Sequence, residues 1–291
     1  DTIEYRDTIF FAHDASSGDI NGDGYPDILA ARTLFLNNSG TGFVNSIESL
    51  PEGMRRTDHY VMSSLLKDFN GDGLADPVLF WGDEINSLDP RPPQIAVSDK
   101  QKPSAEWEVR TLPTGPFGSG STKFNHAAAA DIDGDGDTDI VIGTTRAGSL
   151  YYVGRFMQIL RNDGSGNFTD ISDEAMGEQP RALNYEDERV EAQCAVWGEG
   201  QVVLLDVDND GDIDITDRTH GGANGAKEAC PGLEIYLNDG GGRFSRDESR
   251  QLAWVRQHQI PGFVALTPAD HQIGNAMPID LDGRFGIDYV A

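Results

Sequence analysis

The stretch Asp131-Ile132-Asp133-Gly134-Asp135-Gly136-Asp137-Thr138-Asp139 decides how the rest of the chain is read. Carboxylates stand at every odd position, and the glycine at position six allows the sharp turn that would wrap them around one centre. The same nine-residue spacing recurs at Asp19-Ile20-Asn21-Gly22-Asp23-Gly24-Tyr25-Pro26-Asp27 and at Asp68-Phe69-Asn70-Gly71-Asp72-Gly73-Leu74-Ala75-Asp76. It recurs again at Asp206-Val207-Asp208-Asn209-Asp210-Gly211-Asp212-Ile213-Asp214. A fifth copy, Asp280-Leu281-Asp282-Gly283-Arg284-Phe285-Gly286-Ile287-Asp288, is damaged. The first aspartates lie 49, 63, 75 and 74 residues apart. That is the period of a supersecondary unit with variable loops, not of a short solenoid repeat.

Working outward from the loops, three units share a second element. Leu34-Phe35-Leu36-Asn37 leads through a glycine-containing turn to Phe43; Ile159-Leu160-Arg161-Asn162 leads to Phe168, and Ile235-Tyr236-Leu237-Asn238 to Phe244. An apolar strand end, an Asn/Asp/Gly turn and a returning Phe predict a β-hairpin. The second unit lacks this version and has the proline-rich Asp89-Pro90-Arg91-Pro92-Pro93 instead. Apolar or small residues enter the loops, as at Ala127–Ala130 and Val202–Leu205, and a second strand leaves them at Ile28–Ala30, Pro77–Phe80 and Ile140–Ile142. Each unit thus holds four antiparallel strands, the content of a propeller blade. The small residues before the third loop suit an innermost strand crowded near an axis. Ser172–Ala195 has room for a short helix within an insertion. The expected fold is all-β, a propeller of about five four-stranded blades forming a single domain over residues 1–291, since one blade cannot bury both of its faces alone.

The loop chemistry points to calcium. Oxygen ligands at alternate positions of a tight loop suit a hard cation with about seven ligands. Positions one, three, five and nine supply side-chain oxygens, position nine through both of its own: Asp19, Asn21, Asp23 and Asp27; Asp68, Asn70, Asp72 and Asp76; Asp131, Asp133, Asp135 and Asp139; Asp206, Asp208, Asp210 and Asp214. Position seven (Tyr25, Leu74, Asp137, Asp212) offers its backbone carbonyl, which leaves its side chain free to vary. An EF-hand would need a glutamate at position twelve and flanking helices; Ala30, Leu79, Ile142 and Asp217 stand there, and the flanks read as strands. Magnesium is disfavoured because it retains several waters. An isolated Asp/Asn/Gly run is often an ordinary turn, but four runs of identical spacing are not explained that way. The expectation is about four Ca2+ per chain, one for each intact loop, with the fifth loop empty or weak because Arg284 replaces an anionic ligand and Phe285 the turn glycine.

Of 49 acidic residues, set against 22 basic ones for a net charge of −27, these four loops hold 16, a crowding that solubility does not require. So negative a surface repels phosphate backbones and anionic lipid, which argues against nucleic acid and acidic membranes as partners. No apolar run approaches the roughly 18–20 residues of a membrane span. Cys194 and Cys230 are the only cysteines and fit neither a zinc site nor a redox pair; a disulfide between them and two buried thiols are both consistent with the sequence.

This constellation resembles the FG-GAP/VCBS repeats of integrin α-subunit propellers and of many secreted bacterial proteins. Phe168-Thr169-Asp170-Ile171-Ser172-Asp173-Glu174-Ala175, then Trp197-Gly198-Glu199-Gly200 leading into the fourth loop, is similar to the cartilage-acidic-protein branch. The resemblance implies a calcium-stabilised propeller, often seven-bladed, with an adhesion or carbohydrate-binding role and an extracellular, cell-surface or periplasmic location. Some related propellers are lyases or dehydratases. Two arrangements are open on this reading: residues 1–10 add a strand that closes the ring on the last blade, or the chain is a fragment of a larger propeller.

No nucleophile elbow, phosphate loop or HExxH motif is present. His13, His59, His126 and His271 precede aspartate loops at unequal offsets, so a histidine ring at one mouth competes with unrelated loop histidines. Tyr151, Tyr152 and Arg155, or Trp81 and Trp107, could stack on sugars, although aromatics of β-proteins mostly serve the core. Two functions follow: a binding module that takes a protein or glycan ligand through loops on one propeller face, or a carbohydrate-active lyase or dehydratase with its site in the central funnel.

Overall fold

The computed structural model describes residues 14–55, 60–82, 92–118, 122–146, 153–177, 179, 199–220, 231–247, 252–253, 277–279 and 288–290. Four sheets of antiparallel strands follow one another along the chain, each in simple sequence order. The first blade comprises β1 (Ala15–Gly18), β2 (Asp27–Ala30), β3 (Thr33–Asn37) and β4 (Phe43–Asn45). The second has β5 (Tyr60–Lys67), β6 (Asp76–Gly82), β7 (Gln94–Val97) and β8 (Glu108–Thr111). The third has β9 (Thr122–Ala130), β10 (Asp139–Arg146), β11 (Val153–Asn162) and β12 (Phe168–Asp170). The fourth has β13 (Glu199–Leu205), β14 (Asp214–His220), β15 (Pro231–Asn238) and β16 (Phe244–Arg246), with β17 (Leu252–Ala253) also pairing on β15. The strands β18 (Met277–Ile279) and β19 (Asp288–Val290) form a further antiparallel pair.

Every aspartate loop joins the first two strands of its unit, and always in the same register. The residue before the loop pairs with the aspartate at position nine: Gly18 with Asp27, Lys67 with Asp76, Ala130 with Asp139, Leu205 with Asp214 and Ile279 with Asp288. The three expected hairpins are present as β3–β4, β11–β12 and β15–β16, with each Asn facing its Phe across the ladder. In the second blade a ten-residue connection from Ser98 to Trp107 takes the hairpin's place. The short helix α1 (Ser172–Met176) begins where the insertion was expected to hold one.

Strand alternation places successive side chains on opposite faces, and blades two and three pack against neighbours on both. Leu79 and Trp81 join Ile20, Leu29 and Leu34 between blades one and two. Their neighbours on the same strand, Val78 and Phe80, join Phe124, Ile140 and Ile142 between blades two and three. Val141 then turns to Met157, Val202 and Ile215 between blades three and four. Burying one such side chain contributes about 1.5–3 kcal/mol, so each blade is stabilised mainly by its neighbours. The innermost strands β1, β5, β9 and β13 lie in succession, each against the next. There the run Ala127–Ala130 and the glycine at Gly18 allow close approach: a Cβ on Gly18 would stand 2.6 Å from Leu66 O and 2.7 Å from Ala75 Cβ. Four antiparallel blades built around such strands give the β-propeller architecture. The expected closing strand at residues 1–10 falls outside the described residues.

Candidate metal centre

Each loop is held by its own first aspartate. Gly22 N–H donates to Asp19 Oδ1 (2.7 Å) and Gly24 N–H to Asp19 Oδ2 (2.7 Å). The second loop repeats this with Gly71 and Gly73 on Asp68, at 2.8 and 2.7 Å. In the third, Gly134 and Gly136 bond Asp131 at 2.8 and 3.0 Å, and in the fourth Gly211 bonds Asp206 Oδ2 at 3.0 Å. Position five accepts from the amide of position seven in every loop: Asp23 from Tyr25, Asp72 from Leu74, Asp135 from Asp137 and Asp210 from Asp212. In the first three loops position three accepts from the amide of position five. These bonds curl the backbone so that the oxygens of alternate residues share one side.

The aspartate at position nine is the buried member of the set. Asp27, Asp76, Asp139 and Asp214 are all 0% exposed. Their Oδ2 atoms accept from the amide of position two, namely Ile20 (3.0 Å), Phe69 (2.8 Å), Ile132 (3.2 Å) and Val207 (2.8 Å). Their Oδ1 atoms accept from the blade's third strand or its end: Asn37 (2.7 Å), Ser98, Asn162 (2.8 Å) and Asn238 (2.8 Å). The residue therefore ties loop, second strand and third strand together. Each oxygen keeps a further lone pair. Burial pushes the carboxyls of Asp76 and Asp139 up to about 6 against the lowering effect of these amides, and raises Asp27 and Asp214 in the same way. Burial first, and then the neighbouring Asp135, also raise Asp133.

Among the described residues, two groups each gather three carboxylate oxygens within 4.8 Å: Asp131, Asp133 and Asp139, and Asp206, Asp208 and Asp210. In the first and second loops Asn21 and Asn70 hold position three, so fewer carboxylates crowd there. The side chains at position seven lie against other parts of the fold. A Cβ on Gly164 would stand 2.5 Å from Asp137 Oδ2, one on Gly240 2.6 Å from Asp212 Oδ2, and one on Gly40 3.5 Å from the Tyr25 ring. In these three loops the side chain rests on its blade's own hairpin, whereas Leu74 reaches the first loop, where a Cβ on Gly22 would stand 2.9 Å from its Cδ2. All-oxygen donors, carboxylate-rich and wrapped in a short loop, fit a hard divalent cation.

A family model for the FG-GAP repeat matches residues 11–44 and 125–155. Two stretches of the chain are thus similar to FG-GAP repeats. The first matched stretch holds the first loop and its hairpin, and the second holds the third loop with the strands on either side. No curated protein matches the chain. FG-GAP repeats of this kind build β-propeller modules, in keeping with the four blade-like sheets.

Other residues singled out in the sequence are placed as follows. Trp81 (2% exposed) and Trp107 (4%) belong to the core between blades one and two, not to a stacking platform. His126, on β9, brings Nε2 to 4.0 Å from Asp14 Oδ2. Asp14 in turn accepts from Ser63 Oγ and from Ser64 N–H (2.8 Å) on β5. His13, His59, His271, Tyr151, Tyr152, Cys194, Cys230 and the fifth loop between Asp280 and Ile287 lie outside the described residues, as does the side chain of Arg155. The hairpin asparagines were read from sequence only as turn formers. Asn162 Nδ2 donates to Phe69 O (2.7 Å) and Asn238 Nδ2 to Ile132 O (2.7 Å), so each clamps the aspartate loop of the preceding blade. The signal lay in their fixed offset from the returning Phe, but the partner is 93 or 106 residues away.

Proposed function

We propose that the chain is a calcium-stabilised FG-GAP β-propeller that works outside the cytoplasm and binds a protein or glycan ligand through loops on one propeller face. The observation that carries the metal assignment is the shared bonding of the four intact loops, which gathers carboxylate and amide oxygens on one side of each. The ions would be held by positions one, three, five and nine with the carbonyl of position seven, and would neutralise charge that otherwise repels itself. Adhesive roles common to FG-GAP propellers support the ligand assignment. A groove of about 460 Å3 beside the second loop is lined by Lys100, Lys102 and Arg110 and by the carboxylates of Asp72, Asp99 and Glu108, with Lys102 paired to Asp99 (3.0 Å) and Arg110 to Glu108 (2.8 Å), a mixed-charge surface suited to a polar ligand. Metal analysis should return about four calcium ions per chain, one for each intact loop. A glycan and protein screen, run with and without chelator, tests the binding role: ligands retained only with calcium are expected, and none in either condition would remove it.

The second reading, a carbohydrate-active lyase or dehydratase, has one observation in its favour. His126 and Asp14 meet beside the innermost strands, where a central funnel would place an acid–base pair. Turnover of an acidic glycan that His126→Ala abolishes would put this reading first.

A further inference from the structure

Position three is asparagine in the first two loops, and in both it is followed by glycine: Asn21-Gly22 and Asn70-Gly71. In the third and fourth loops the same position is Asp133 or Asp208. Asparagine is a thermolabile residue, and its decay is intramolecular. The backbone nitrogen of the following residue attacks the side-chain carbon Cγ, and a cyclic imide forms as ammonia leaves. Water then opens the ring at either carbonyl, giving aspartate or its β-linked isomer, isoaspartate. One water enters, one ammonia departs, and nothing is oxidised or reduced. A following glycine favours the attack, because it has no Cβ and its backbone bends freely.

The two sites are restrained unequally. Their attacking nitrogens are held alike, Gly22 N–H on Asp19 Oδ1 (2.7 Å) and Gly71 N–H on Asp68 Oδ1 (2.8 Å). So are their side-chain carbonyls, Asn21 Oδ1 accepting from Asp23 N–H and Asn70 Oδ1 from Asp72 N–H, each at 3.0 Å. The difference lies at the amide nitrogen that must leave. Asn70 is half-buried, and its Nδ2 donates to both Ser98 O (3.0 Å) and Ser98 Oγ (3.1 Å), on the connection that replaces the hairpin of blade two. Asn21 is exposed, and its Nδ2 donates to Asp23 Oδ2 (3.2 Å) within the same exposed loop. Leu74 packs beside Gly22, which steadies the turn but does not hold the Asn21 amide. Turning Cγ toward the glycine nitrogen thus breaks two bonds to another segment at Asn70, and one loop-internal bond at Asn21.

We propose that Asn21 is a site of spontaneous deamidation whose rate is set by the ion of the first loop, and that Ser98 protects Asn70. The ion's part rests on the calcium reading above. Held by Asp19, Asn21 and Asp23, an ion fixes the oxygen and the backbone that must move, and its loss frees them. The two products differ in consequence. Aspartate at position 21 reproduces the position-three carboxylate of the third and fourth loops. Isoaspartate lengthens the backbone by one carbon, which puts positions five, seven and nine out of step with position one and ends metal binding there. A first loop left without its ion therefore loses the capacity to regain it.

Peptide mapping of the full chain tests this after incubation at mildly alkaline pH in calcium, in chelator, and in chelator with urea. In chelator Asn21 should convert at least fivefold faster than Asn70, and calcium should slow Asn21 at least tenfold. In urea, where the fold no longer separates the two sites, their rates should converge. The order of Asn21 over Asn70 is expected in calcium too, at lower rates, so unfolding in chelator would not remove the test. Equal rates at the two sites in the folded protein, or a gap that persists in urea, would overturn the proposal. Calcium that binds the fresh protein but leaves the Asn21 rate unchanged would overturn the ion's part. If titration of the fresh protein shows that no calcium binds, the calcium reading fails, while the order of the two asparagines still judges Ser98 as the protecting group.

Discussion

At position nine the fold already draws on the atoms proposed to hold the metal. Asp139 is fully buried and each of its oxygens already holds one backbone N–H. Removing the carboxylate leaves the amides of Ile132 and Asn162 without it, at about 1–3 kcal/mol each. Asp139→Ala should therefore cost roughly 2–5 kcal/mol in urea titrations even in the presence of chelator. Asp135→Ala, at an exposed position, should leave metal-free stability within about 0.5–1 kcal/mol and lose calcium affinity instead. Equal losses in chelator would show that the two positions do not differ in role. Acid gives a second test. Asp76 and Asp139 sit at about 6 when folded against 3.8 as the ordinary value. Between pH 7 and 5 the metal-free folded state binds more protons than the unfolded one, so its stability rises as pH falls, by about 1 kcal/mol per carboxylate at pH 5. Asp99, Glu108 and Asp163, whose carboxyls are held below the usual range, bring their opposite effect only at lower pH. Calcium needs the ionised form, and the loaded protein should lose stability over the same window. Melting curves at pH 7 and 5, with and without chelator, are expected to slope in opposite directions. Parallel slopes would exclude these two aspartates from the ligand set.

At the scale of strands and hairpins, blade contacts are made by small residues and by asparagine. Gly18→Ala would drive a methyl group toward the carbonyl of Leu66 and the side chain of Ala75, neither of which is the far end of a flexible chain. A loss of about 1–3 kcal/mol is expected, read as a fall in melting temperature, and an unchanged melt would mean that β1 and β5 can part at little cost. Asn162→Ala strands the carbonyls of Phe69 and Thr138 and should cost about 1–3 kcal/mol, whereas Asn167→Ala, on the exposed turn of the same hairpin, should cost far less. Much of this level was legible beforehand. The nine-residue spacing placed every loop between the first and second strands, and Asn37, Asn162 and Asn238 with their returning Phe located three hairpins. Local spacing is visible in a sequence because turn geometry fixes it. The clamp from Asn162 to Phe69 was not visible, since it depends on how blades stack and no local pattern encodes a partner 93 residues away. The second blade's connection was also opaque. Ser98 takes the asparagine's place on Asp76, but a lone serine before a long loop carries no signature. At the metal centre the alternate oxygens were readable from chemistry, while the buried, strand-tying side of position nine required the fold.

For the whole molecule, charge and architecture make metal and stability one problem. The loops concentrate 16 of 49 acidic residues in a chain of net charge −27, and the inter-blade clamps rest on position-two residues whose amides are held by position nine. If the loops hold ions as proposed, a loop loosened by loss of its ion would loosen the blade that follows it. Chelation should lower the melting temperature, because a ligand bound only by the native state stabilises it by about 2.7 kcal/mol per independent site at a hundredfold excess over its dissociation constant. The destabilised protein should still unfold in one transition, since the three large core clusters are each shared between two blades. Salt separates the ion's two contributions. If calcium acts mainly by relieving repulsion, about 1 M sodium chloride, which shortens screening to roughly 3 Å, should restore a substantial part of the stability lost to chelator. If it acts mainly by fixing loop geometry, salt should restore little. The crowding of carboxylates in the third and fourth loops favours the first outcome there, and the asparagine-containing first and second loops favour the second. Position-one variants Asp68→Asn and Asp206→Asn, melted in chelator at low and high salt, should accordingly differ: the low-salt melt of Asp206→Asn should rise above that of the parent protein more than Asp68→Asn does. An identical response from both would show that charge crowding does not set what calcium contributes at each loop.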